Sequence, residues 1–274
     1  MQLSSKIMTM TLINLPPENT PKHQAYIKLP IAFMLLFLSF SSLAQVKTIE
    51  TYHQQWFQYF NNIRFSERWS WLSDGGLFLE DRLQSKSMYI LRTGIGYNLN
   101  PQVKFVLGVA NLGFYNSECM NKIELRPYQE VSAKIAYGKV GTVHRFRLEH
   151  RFRKLVNQTE LLDDETSFNF RFRYRIMFKI PLVNFSEDNP SKRLSLKIGD
   201  EIFLNAGKEV VTNVFDKNRI IVGPSMSFSK NLSVYFTYMH QLVSTSNVSN
   251  YNSYNVLWLG VMHNINLMDK HKKS

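Results

Sequence analysis

The chain has 274 residues, 44% hydrophobic, 14% aromatic and 20% charged, with a formal net charge of +12. That length suits one ordinary domain or a single small barrel. Cys119 is the only cysteine, which excludes an intramolecular disulfide and any cysteine-based metal centre.

Residues Leu29 to Leu43 form an apolar run, preceded by Lys22 and Lys28 and closed by Ser42-Leu43-Ala44 before Gln45. This is the pattern of a secretory signal peptide, too short and wrongly flanked for a spanning helix. Residues 1–44 are expected to be a signal peptide with an extended N-terminal region, with Met8 and Met10 as alternative starts. The mature domain is then 45–274, beginning at Gln45 and carrying a net charge of +10. A basic surplus often marks nucleic-acid binding. Export, and arginines set at strand spacing without a recognition motif, argue against a nucleic-acid partner.

Beyond Ala44, strand-like segments follow one another with no helical segment between them. They run over roughly 54–66, 69–82, 87–99, 102–115, 123–137, 142–154, 167–180, 193–205, 217–229, 232–243 and 253–267. Most exceed the five or six residues usual in globular sheets and suit a tilted strand crossing a bilayer. Asn98-Leu99-Asn100-Pro101, Gly138-Lys139-Val140-Gly141 and Ser229-Lys230-Asn231 are tight turns. Longer polar links lie at 115–122, 155–166, 206–216 and 244–252, and the 181–192 link is too long for a simple turn. Short turns alternating with long loops is the up-and-down, antiparallel plan of an outer-membrane β-barrel, turns in the periplasm and loops outside. Eleven segments are legible, but single-chain bacterial barrels have an even number. The expectation is therefore about 12 strands (10–12), with one hidden near the bulge-like Asp74-Gly75-Gly76.

The central hairpin, Thr142 to Ile180, fixes the faces. Arg145, Arg147, Glu149, Arg151 and Arg153 alternate with Phe146, Leu148 and Phe152, and Arg171, Arg173 and Arg175 alternate with Phe170, Phe172 and Tyr174. Successive side chains point to opposite faces of a strand, so charges share one face and aromatics the other. The same parity makes Glu80, Arg82, Arg92, Glu124, Arg126, Glu130, Lys134, Lys197, Glu201 and Arg219 inward candidates. Trp69, Trp71, Tyr89, Tyr97, Ile135, Leu194, Leu196, Tyr238 and Leu267 are outward candidates. A soluble lipocalin-like barrel would have the reverse arrangement, because a whole surface of apolar side chains aggregates in water.

Phe60-Asn61-Asn62-Ile63-Arg64-Phe65-Ser66-Glu67-Arg68-Trp69, Arg126-Pro127-Tyr128-Gln129-Glu130, Arg147-Leu148-Glu149-His150-Arg151-Phe152-Arg153, Gly207-Lys208-Glu209 and Phe215-Asp216-Lys217-Asn218-Arg219 occur in this order. On these segments the chain resembles the exported β-barrel family known as domain of unknown function 2490, from Gram-negative bacteria. The resemblance covers about Trp56 to Leu267 and implies an outer-membrane barrel. It supplies no substrate or catalytic residue.

Chemistry is sparse. An outer-membrane lipid-modifying enzyme, phospholipase-like, needs a serine beside a histidine. His144, His150, His240 and His263, with Ser132, Ser195, Ser227 and Ser233, are the candidates, and no local signature surrounds them. The Asp163-Asp164-Glu165 cluster lacks calcium-loop spacing, and Gly94-Ile95-Gly96 is a packing or bulge feature rather than a phosphate loop. No cofactor is expected. The favoured function is a non-enzymatic outer-membrane barrel, a narrow channel or a structural barrel, whose interior carries an arginine–glutamate network. Its partners are outer-membrane lipids, with a small anionic solute in the lumen as a further candidate. The alternatives are the lipid-modifying enzyme and a soluble periplasmic ligand-binding barrel.

Overall fold

The computed structural model describes residues 48–268, apart from 117–118, 158–159, 162–165, 187–188, 190, 209, 211–212 and 248–249. The expected leader, 1–44, and the Asp163-Asp164-Glu165 cluster lie outside the described residues. The described chain is all-β: β1 (Thr48–Arg64), β2 (Trp69–Glu80), β3 (Ser85–Asn98), β4 (Val103–Asn116), β5 (Cys119–Tyr137), β6 (Val140–Asn157), β7 (Glu160–Leu161), β8 (Ser167–Asn184), β9 (Arg193–Ala206), β10 (Phe215–Ser227), β11 (Leu232–Ser244) and β12 (Asn250–Asn266). The two-residue β7 folds back on the end of β6. The other eleven strands close into one barrel, each antiparallel to its chain neighbours.

The closing pair is different. β1 and β12 run parallel in unbroken register, from Thr48 opposite Asn250 to Arg64 opposite Asn266. Strand direction alternates in an up-and-down sheet, so an odd count leaves the first and last strands pointing the same way. The barrel therefore has eleven strands and one parallel seam, rather than an even, wholly antiparallel set. No strand is hidden at Asp74-Gly75-Gly76. Those residues lie inside β2 and pair residue by residue with β1 and β3.

Alternation also sorts the connections onto two rims. One, the turn rim, carries the 65–68, 99–102, 138–139, 185–192 and 228–231 links and the end of β12. The other, the loop rim, carries 81–84, 117–118, 158–166, 207–214 and 245–249 and the start of β1. Turn-rim chemistry is local. Gly138 takes a positive φ of 59° in a two-residue hairpin. Asn100 Oδ1 accepts the backbone N–H of Gln102 and of Val103 at 2.9 and 2.7 Å. On the loop rim, Asp81, Arg82 and Leu83 all take positive φ (50°, 57° and 74°), a left-handed turn that non-glycine residues adopt at a steric cost.

The closed sheet has an enclosed face and an outer face, and the enclosed face divides into two halves. On one side Trp56, Phe78, Ile90, Ala110, Leu112, Ile221, Met239 and Val256 form an apolar cluster, with the Trp56 and Phe78 rings stacked at 4.2 Å. Two tyrosines fit this interior only because glycines face them. A Cβ on Gly260 would overlap the Tyr235 ring, and one on Gly108 would crowd Tyr128. Gly260→Ala is expected to cost about 1–3 kcal/mol through overpacking, measured as a lower urea midpoint. An unchanged midpoint would mean that the Tyr235 ring has room to move.

Candidate functional site

The other half of the enclosed face is charged, and five consecutive strands build it: β5, β6, β8, β9 and β10. Among the described residues, seven arginines share five carboxylates there. Their contacts form a continuous path. Arg126 and Arg151 both bind Glu124, which is fully buried, the latter at 2.6 Å. Arg151 reaches toward Asp216 at 4.0 Å, and Arg171 joins Asp216 at 3.0 Å to Glu149 at 2.5 Å.

At its centre the path closes into a ring of alternating charge. Glu149 holds Arg173 at 2.5 Å and faces Arg147 at 3.8 Å. Arg147 binds Glu130 at 2.5 Å, and Arg145 links Glu130 (3.7 Å) to Glu201 (2.5 Å). Arg173 then completes the ring on Glu201 at 2.7 Å. Glu149 and Glu201 are each 2% exposed. Carboxylates so removed from water persist as ions only where several charge-assisted hydrogen bonds replace hydration.

Phe203, 1% exposed, sits against this lattice. The guanidinium groups of Arg173, Arg219 and Arg171 lie 4.4, 4.8 and 5.2 Å from its ring centre. A ring face attracts cations that lack a full carboxylate shell, so Phe203 offsets part of the positive excess. Arg219 also lies 5.1 Å from the Trp56 ring, joining the charged half to the apolar half.

The remaining inward candidates are distributed unevenly. Arg175 faces Glu201 across the β8–β9 ladder, yet has no carboxylate within ion-pair distance among the described residues. Arg92 forms its own pair with Asp74 at 2.8 Å on the apolar side, where Gln58 also donates to Asp74 at 2.7 Å. Glu80 lies at the end of β2 and accepts a long 3.4 Å bond from Gln54. Arg82 does not join them, because the left-handed turn after Glu80 takes it off the strand and leaves it exposed. Lys134 is exposed near the turn rim. Asp74, Asp216 and Phe203 were not among the candidates. Asp74 was masked by its glycines and Asp216 by its place at a loop edge, while Phe203 is one of many aromatics.

A family model described as a protein of unknown function, DUF2490, matches residues 53–253. The chain belongs to this family. The DUF2490 match starts within β1 and ends within β12, so it takes in both sides of the seam and every member of the charge lattice. No curated protein matches the sequence.

The four candidate histidines of this DUF2490 chain lie on its outer face. His144 Nδ1 is 2.8 Å from Tyr174 Oη, His150 Nε2 is 3.1 Å from Gln129 Oε1, and His263 Nδ1 is 3.0 Å from Tyr59 Oη. None of these contacts involves Ser132, Ser195, Ser227 or Ser233. His240 Nε2 does lie 3.0 Å from a serine, Ser253. That serine is 7% exposed. Nucleophilic catalysis needs an approachable oxygen and a base oriented by a third group.

Proposed function

We propose that the protein is an exported outer-membrane barrel whose interior is filled rather than open, a structural or gated barrel surrounded by lipid. One observation carries this: the sheet is inside out for a water-soluble protein. Half of its enclosed face holds ion pairs, while Leu107, Phe146, Leu91 and Phe172 are 66, 60, 58 and 51% exposed on the other face. Such a surface aggregates in water and is stable in hydrocarbon. The eleven barrel strands run from 12 to 19 residues, enough to cross a bilayer at a tilt. Trp69 and Tyr97 pack edge to face at 4.8 Å near the turn rim, as aromatic girdle residues do at a lipid–water boundary.

The filled interior favours a closed state over a narrow channel. Met239, Val256 and Glu124 are all 0% exposed, packed against neighbouring side chains of the enclosed face. Planar-bilayer recording is expected to give no steady open-pore conductance. A stable ohmic step from the wild-type barrel would remove the closed reading. Membrane fractionation with heat-modifiable gel migration tests the placement itself, and a soluble, non-shifting protein would overturn it.

This reading includes export after removal of 1–44 and puts the loop rim outside the cell. Cys119, the first residue of β5, is exposed at that rim and supplies a native probe. A membrane-impermeant maleimide is expected to label it on intact cells, and external protease to clip the 158–166 connection. Labelling only after permeabilisation, with cleavage at 138–141 instead, would turn the barrel upside down. N-terminal sequencing that found residues before Ala44 would remove the processing step.

A further inference from the structure

The charge lattice leaves one part of the enclosed face unbalanced. Toward the turn rim, Lys179 on β8 stands directly opposite Lys197 on β9. Like charges opposed across a ladder repel, and a sheet adopts that register only when something offsets it. No carboxylate lies within ion-pair distance of either lysine among the described residues. Instead Lys179 Nζ reaches Ser227 Oγ at 3.4 Å, and Lys197 Nζ lies 3.9 Å from the centre of the Tyr235 ring. Arg175, below them on β8, adds a second positive neighbour to Lys197, and Arg193 at the start of β9 adds one to Lys179.

Hydroxyls share this spot. Ser195 and Ser225 face each other across the β9–β10 ladder, 0 and 3% exposed. Ser195 Oγ is buried with no hydrogen-bond partner. A buried hydroxyl without a partner is uncommon and points to a missing acceptor or donor. The inward acid on the same strand as Lys197, Glu201, is already held by Arg145 and Arg173. Both lysines are half-buried and lie toward the turn-rim end of their strands.

We propose that this vestibule binds a phosphate group, held by Lys179 and Lys197 with Ser227 and Ser195 as hydroxyl partners. An oxyanion with several oxygens matches two ammonium groups and flanking hydroxyls better than a single-charge halide, since each oxygen accepts charge-assisted bonds. The site lies on the enclosed face, so its occupant is a water-soluble phosphate or phosphorylated solute rather than a lipid headgroup. The inference rests on the closed barrel and not on its membrane placement.

Calorimetric titration of inorganic phosphate into the folded barrel in neutral detergent, at low salt, tests it. Saturable binding is expected, weakened about ten-fold or more in Lys179→Gln/Lys197→Gln, and unchanged in the turn variant Lys139→Gln. Ser227→Ala, which keeps both charges, is the second variant and is expected to weaken binding by a smaller factor. Absence of saturable binding by a folded wild-type barrel, or equal binding by the double variant and wild type, overturns the site. Repeating the titration in nanodiscs separates the sources. Equal affinity in phosphatidylcholine and phosphatidylglycerol discs supports a soluble occupant, whereas competition by phosphatidylglycerol overturns that assignment. A barrel that binds phosphate but fails to fractionate with membranes leaves this site standing and removes only the membrane reading.

Discussion

Glu201→Gln is expected to cost about 3–5 kcal/mol, the range for removing one partner of a buried ion pair. Glu201 Oε1 accepts from Arg145 at 2.5 Å and from Arg173 at 3.0 and 2.7 Å, and Arg219 stands 3.9 Å from Oε2. Glutamine keeps the shape but removes the charge that holds these cations, and it turns an amide donor toward donors. Against a typical total stability of about 5–15 kcal/mol this is a severe loss. Removing a cation should cost less, because arginines already outnumber carboxylates in the lattice. Arg219→Met leaves Glu201 with Arg145 and Arg173 but removes the donor to Gln241 at 2.6 Å, and is expected to cost about 1–3 kcal/mol, the range for leaving one buried polar group unsatisfied. Adding Arg219→Met to Glu201→Gln should recover part of the loss, a coupling visible in a double-mutant cycle. Urea unfolding in lipid vesicles measures all three. Equal costs for the two single variants would show that the positive excess does not govern the interior.

A charge placed on the opposite face should fail for the opposite reason. Phe172 is 51% exposed and lies between Leu148 and Leu204 in the ladders of β6 and β9. If that face meets hydrocarbon, Phe172→Arg costs about 2–4 kcal/mol near the bilayer midplane. Arg173→Leu, one residue along, is expected to leave insertion intact and weaken only the lattice. A folding titration into vesicles reads both. Insertion of Phe172→Arg at the wild-type level, with failure of Arg173→Leu, would reverse the two faces and remove the membrane reading.

Most strand positions were legible because charge and aromaticity alternate in the stretches around Arg147 and Arg173, where one parity is polar and the other is not. The apolar half of the interior was not legible for the same physical reason. Around Phe78 and Leu112 both faces carry apolar or small residues, and around Trp56 glutamines stand on both parities, so a period of two leaves no contrast to read. The eleven-strand count stood in the sequence, and only an expectation about other barrels argued for a twelfth. The parallel seam cannot be read locally, since it joins segments with no chain connection near them. Arg82 was misplaced because strand parity was carried past Glu80 into a left-handed turn. The vestibule lysines were half legible. Lys197 follows from parity, but its opposition to Lys179 depends on register between strands.

The seam sets the order in which the barrel can assemble. Every other ladder joins strands that are neighbours in the chain, while the seam joins residues such as Asn62 and Asn264, 202 positions apart. Bringing such distant segments together costs about 5 kcal/mol of chain entropy on the usual logarithmic scaling, before any hydrogen bond forms. Antiparallel hairpins can zip in sequence, each lowering the effective distance for the next, so β1 and β12 meet last. High contact order of this kind slows folding, and a late-forming contact chiefly governs how fast the structure reopens. Substitutions along β1 and β12 should therefore change the unfolding rate of the barrel more than its folding rate.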